Sequence, residues 1–204
     1  MVVGFIILIG LVVYLIISLV VVFLGVRYAR KKGIPGWKGG ALAAVVMYLL
    51  MFWDFIPFHV AHKYYCATEG GFTLNKTLEE WKAENPGVAE TLVPNESVKS
   101  TKLEDRRRYV LNQRFAWDIV TTKHFLGIRK RDERIVDMKN SEILAQYVDF
   151  DSDQKSLEPE EFRDFKFWLD TRTCEETNLL PQNVKFNDYF AATKKLGKSN
   201  HGNK

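Results

Sequence analysis

The 204 residues carry 29 lysines and arginines against 25 aspartates and glutamates, for a formal charge of +4. That average conceals two compositions: residues 1–60 hold Asp54 as the sole acid beside Arg27, Arg30, Lys31, Lys32 and Lys38, whereas residues 61–204 hold 24 basic and 24 acidic side chains. An apolar segment ahead of a neutral polar one excludes a cytosolic globular enzyme. It also excludes a nucleic-acid-binding face, which needs net positive charge to displace counterions from phosphates.

From Val2 to Val26 the chain runs 25 residues without a charge, against the roughly 20 needed to cross about 30 Å of hydrocarbon as a helix. The run is too long for a cleaved signal peptide, has no basic region before it and has one after it. A second apolar run, from Ala41 to about Val60, is flanked by Trp37 and Trp53, residues favoured at headgroup level. Arg27, Arg30, Lys31, Lys32 and Lys38 lie between the runs with no acid among them, which places that short connection in the cytoplasm and both ends of the chain outside. The same charges suit anionic lipid headgroups. Gly33, Pro35, Gly36, Gly39 and Gly40 predict a tight non-helical turn and hence an antiparallel helical hairpin.

Asp54 falls inside the second run, where an ionisable group is costly unless it reaches water or a partner. Pro57 follows three residues later and predicts a kink. If the helix persists, His59, His62 and Cys66 share one face, able in principle to bind a soft metal or haem. Asp54 with His59 and His62 is therefore a candidate site for protons, metal or haem.

Beyond the membrane-proximal root, Thr77 and Glu80 form a capping box for a short helix ending at Pro86 and Gly87. The stretch Tyr109–Thr121 is a strand candidate. Residues 125–138 and 142–150 form a predicted β-hairpin about Lys139, Asn140 and Ser141. Glu158–Asp170 has helical spacing, with Phe162, Phe165, Trp168 and Leu169 on one face. The residues from Lys194 onward have little to bury and are expected to fray. His124 reads as a solvated turn residue, and Arg106–Arg108 as a solvated basic run offset by Glu104 and Asp105. Asp149, Asp151 and Asp153 alternate as at the start of a calcium loop, yet Gln154 stands where glycine is needed, so a polar loop is expected. Asn75 and Asn95 match the glycosylation acceptor pattern. Phosphate loops, nucleophile elbows and zinc spacings are absent from the polar domain, so the leading expectation is a non-enzymatic protein without a cofactor, the alternative being the proton, metal or haem site on Asp54, His59 and His62.

Cys66 and Cys174 are the only cysteines. On the oxidising side of a membrane one disulfide is the economical reading, with free thiols or an intermolecular bridge as alternatives. Closing the loop of about 108 residues between them contributes on the order of 4–5 kcal/mol by chain entropy. With no C-x-x-C, nothing in the spacing indicates a thioredoxin-like function.

The segment WDFIPFHVAHKYYCATEGGFTLNKTLEEWKAENPGV, with KRDERIVDMKNSEILAQYVDF and the segment around Cys174, resembles a family of bacterial inner-membrane proteins that have an N-terminal transmembrane hairpin and a cysteine-containing periplasmic α+β domain. The resemblance covers residues 52–180 and implies an architecture and a compartment, but no activity. The expected organisation is transmembrane helix 1 over residues 1–26, a cytoplasmic basic loop over 27–40, and transmembrane helix 2 over 41–60. A periplasmic α+β domain with an antiparallel sheet follows over 61–193, and a disordered tail over 194–204. The expected role is that of an inner-membrane protein, in contact with lipids, whose periplasmic domain meets a protein partner or a second copy of itself.

Overall fold

The computed structural model describes residues 2–152, 166–171, 173–174 and 182–197. They fall into two compact units, Met1–Pro57 with Lys155–Leu169 and Phe58–Gln154 with Asp170–Lys204.

The first unit is built on α1 (Val2–Lys31) and α2 (Gly36–Phe52). Among the described residues α1 is the one helix long and apolar enough by itself to cross a membrane, and Leu15, Leu19, Phe23 and Leu24 stand exposed along it. The basic connection is much shorter than 27–40. Arg27, Arg30 and Lys31 close α1, Lys38 already lies in α2, and the turn between the helices includes Gly33 at φ +74°. The expected turn glycine Gly39 is instead helical, for a steric reason. A Cβ there would meet the Gly25 carbonyl oxygen at 2.4 Å and the Ala29 Cβ at 2.6 Å. Small residues let the α1 and α2 backbones touch. Farther along, the Tyr14 hydroxyl donates to the Met47 carbonyl.

The second apolar run is not one continuous helix over 41–60. It breaks at Trp53 and Asp54 and resumes as α3 (Phe55–Thr68). Pro57 falls in the first turn of α3, where a missing N–H costs little, so the expected kink is a chain break with a new helix start. α2 and α3 reach membrane-spanning length only when taken together as one broken span.

The second unit is an α+β fold on a six-stranded antiparallel sheet. Its strands are β1 (Gly71–Leu74), β2 (Ser100–Lys102), β3 (Arg107–Val110), β4 (Phe115–Lys123), β5 (Ile128–Asp137) and β6 (Glu142–Ser152), in the order β1-β6-β5-β4-β3-β2. The predicted hairpin is β5–β6, with Ser141 in its turn at φ +58°. The Tyr109–Thr121 stretch is not one strand. Asn112 Oδ1 accepts the backbone N–H groups of Arg114 and Phe115 at 2.9 and 2.8 Å, closing a tight turn between β3 and β4.

α4 (Leu78–Glu84) opens on the expected capping box, with Thr77 and Glu80 bonded reciprocally. Its Trp81 is fully buried with Phe115, Leu111 and Ile135. α5 (Gln182–Lys195), which the sequence reading did not foresee, brings Phe186, Tyr189 and Phe190 to the same core. α5 reaches Lys195, and Leu196 packs on the core, a little way into the segment expected to fray. Most of the predicted helix Glu158–Asp170 lies outside the described residues; its described part forms a single 3-10 turn, Phe167–Leu169.

Candidate functional site

Strand alternation gives β3, β4 and β5 a shared face carrying Tyr109, Trp117 and Ile135 in one row and Arg107, Ile119 and Glu133 in the next. The aromatic row adjoins the core: Tyr109 stacks on Trp117 at 4.8 Å, and Trp117 meets Phe190 of α5 edge-on at 5.2 Å. Beyond it the face opens into a groove of about 640 Å³. Tyr109, Trp117, Ile119 and Thr121 lie along it, and Lys102, Arg106, Arg107, Arg129 and Arg131 supply positive charge against Glu104 and Asp105.

These cations are not equivalent. Arg106 bonds Asp105 at 2.8 Å and Asp118 at 3.4 Å, Arg129 bonds Asp151 at 2.6 Å, and Arg131 bonds Glu133 at 2.8 Å. Lys102 and Arg107 have no carboxylate partner among the described residues. Arg108, on the opposite face, is held by both oxygens of Asp118 at 2.7 and 2.6 Å, which raises its pKa. The expected solvated run Arg106–Arg108 is therefore divided by the strand period: Arg108 is tied to a buried acid and Arg107 faces the groove. Burial pushes the Glu133 carboxyl above the usual range. The Arg131 charge opposes that rise, and the Asp149 charge adds to it. Chemically, the groove offers a stacked aromatic pair beside two cations that have no carboxylate partner among the described residues, a combination suited to an anionic group carried on an apolar or planar body.

The membrane-proximal candidates find separate neighbours. In the first unit Asp54, 2% exposed, accepts the Lys166 ammonium at 2.5 Å and the Trp168 indole N–H at 3.1 Å. In the second unit His62, 3% exposed, donates from Nε2 to the Phe150 carbonyl at 3.0 Å. That acceptor settles the tautomer, since a carbonyl cannot donate. His59 lies edge-on to the Phe58 ring. Of the predicted metal-binding face, His62 and Cys66 do come together, and Cys174 joins them within 4.8 Å. The two sulfurs are bonded to each other at 2.00 Å, so they offer no thiolate to a metal.

Several other sequence candidates resolve into structure. Asp149 and Asp151 lie on β6, not in a loop; Asp149 accepts the Cys174 backbone N–H at 2.8 Å and Asp151 pairs with Arg129. His124 packs against Tyr65 and Phe150. The side-chain amides of Asn75 and Asn95 donate to the carbonyls of Ile143 and Val110.

No protein-family model matches the sequence, and no curated protein or solved structure is significantly similar to it.

Proposed function

We propose that this is a bacterial inner-membrane protein whose N-terminal segment forms a transmembrane hairpin, α1 followed by the broken span α2–α3, and whose sheet domain stands in the periplasm. Its basic segment Arg27–Lys38 stays cytoplasmic. The sheet groove then receives an acidic segment of another envelope protein, which Arg107 and Lys102 bind and Tyr109 and Trp117 seat. The protein serves as an anchored interaction module and performs no reaction of its own on that partner.

The observation that carries this reading is the groove, where two cations without acidic partners among the described residues border a stacked Tyr-Trp pair. The charge asymmetry around α1 and α2 supports the orientation. A disulfide between the only two cysteines supports an oxidising compartment.

A photo-crosslinking residue at Ile119, used in intact membranes, tests the groove. The expected result is a discrete adduct with one envelope protein that disappears when Arg107→Glu and Lys102→Glu are combined. An adduct of unchanged yield in that variant, or an equal adduct from Arg108 on the opposite face, overturns the proposal.

A further inference from the structure

The two sulfurs of the Cys66–Cys174 bridge have unlike surroundings. Cys66 follows His62 by one turn of α3, and its Sγ lies 3.9 Å from Nδ1 and 3.7 Å from Nε2. Because His62 Nε2 donates to the Phe150 carbonyl, Nδ1 is the ring nitrogen free of that bond. The Cys174 side is different. Its backbone N–H is fixed by Asp149 at 2.8 Å, and a Cβ built on Gly70 would meet the Cys66 carbonyl oxygen at 2.8 Å, the Cys66 Cα at 3.1 Å and the Cys174 Sγ at 3.3 Å. Partly exposed Gly70, which has no side chain, lies against both halves of the bridge, whose cysteines are 5–6% exposed.

We propose that Cys66–Cys174 is an exchange-active disulfide, opened by a dithiol reductant that attacks Cys174 while His62 stabilises Cys66 as the leaving thiolate. In the first step a thiolate of the dithiol forms a bond to Cys174 Sγ and the Cys66–Cys174 bond breaks. Its electron pair goes to Cys66 Sγ, and His62 Nδ1 holds the proton that the attacking thiol gave up. In the second step the other thiol of the reductant attacks the mixed disulfide and Cys174 leaves. The dithiol ends as a disulfide, and the protein ends with two reduced cysteines and both protons. An imidazolium beside a sulfur favours the thiolate, and a better-stabilised leaving thiolate departs faster. The bridge would then join α3 to the Cys174 segment in a form that a neighbouring dithiol can release, where an inert staple would hold them permanently.

The test uses the full-length protein in mild detergent at neutral pH without denaturant. Dithiothreitol is added, the reaction is quenched with a maleimide that shifts electrophoretic mobility, and wild type is compared with His62→Gln, whose amide can still donate to the Phe150 carbonyl. The expected result is opening of the wild-type bridge in the folded protein and opening about tenfold slower in the variant. A bridge that resists dithiothreitol until denaturant is added, or equal rates in the two proteins, overturns the proposal. Should His62→Gln melt well below wild type, the reduced wild-type protein decides: Cys66 should alkylate about tenfold faster than Cys174 in mildly acidic buffer, and equal or slower alkylation overturns the proposal.

Discussion

The indole N–H of Trp81 donates to Asp137 at 2.8 Å, joining α4 to the last residue of β5 inside the core. Arg114 reaches the other oxygen of the same carboxylate at 2.6 Å, and its guanidinium lies over the Trp81 ring at 5.5 Å. Burial pushes the Asp137 carboxyl up. The bonds from Arg114, Trp81 and the Lys139 backbone N–H outweigh that and hold it below the usual carboxylate range. A depressed folded pKa contributes stability that is present above the unfolded value and lost as pH falls through the folded one. Asp137→Asn should cost about 3 kcal/mol at pH 7 by leaving Arg114 without its counter-charge. The cost should shrink as the pH is lowered below about 4. Denaturant melts of both proteins at the two pH values check this.

Glu133 has the opposite sign. Its folded pKa is raised, first by burial, so its contribution is fully present below the unfolded value and is lost as pH rises through the folded one. Glu133→Gln should therefore melt at the same temperature as wild type or higher at pH 7, with a smaller difference near pH 4. A clear loss of stability at pH 7 would show that the 2.8 Å pair with Arg131 outweighs the burial cost.

At the α1–α2 contact, Gly39 leaves no room for a side chain against Gly25 and Ala29. Gly39→Leu should force the helices apart at a cost of about 1–3 kcal/mol. Gly10, with nothing within 4 Å of a built Cβ, should accept leucine without that cost. Detergent-unfolding curves of the two variants would show whether the contact is as tight as its geometry indicates.

Buried Asp54 and partly buried Lys166 form a pair inside the first unit, with Lys166 also 5.9 Å from the centre of the Trp53 ring. A double-mutant cycle with Asp54→Asn and Lys166→Met should return a coupling of about 1–3 kcal/mol. A coupling near zero would mean that the pair is not formed in solution.

Where the sequence was legible, one period or one local bond decided the outcome. The capping box needs only Thr77 and Glu80, and the β5–β6 hairpin only two alternating runs about a polar turn. The disulfide followed from counting cysteines in a topology argued from charge. The misses have physical causes. The β3–β4 turn rests on a single side chain, Asn112, within an otherwise strand-like aromatic stretch. Gly39 and Gly40 have the composition of a turn and the role of a packing surface, a difference visible only once α1 lies alongside. α5 was readable from Phe186, Tyr189, Phe190 and Thr193 at helical spacing, but polar residues dominate its remaining faces. The groove was hidden because adjacent arginines in sequence face opposite sides of a strand: Arg107 and Arg108 read as one cluster and act as two.

Compartment is the claim on which the groove's partner and the oxidised bridge both depend. Paired reporter fusions after Lys204 and within the turn at Pro35, one reporter active only after export and the other fluorescent only in the cytoplasm, test it most directly. The expected result is an active exported reporter and no fluorescence at Lys204, with the reverse at Pro35. Fluorescence from the Lys204 fusion would contradict it.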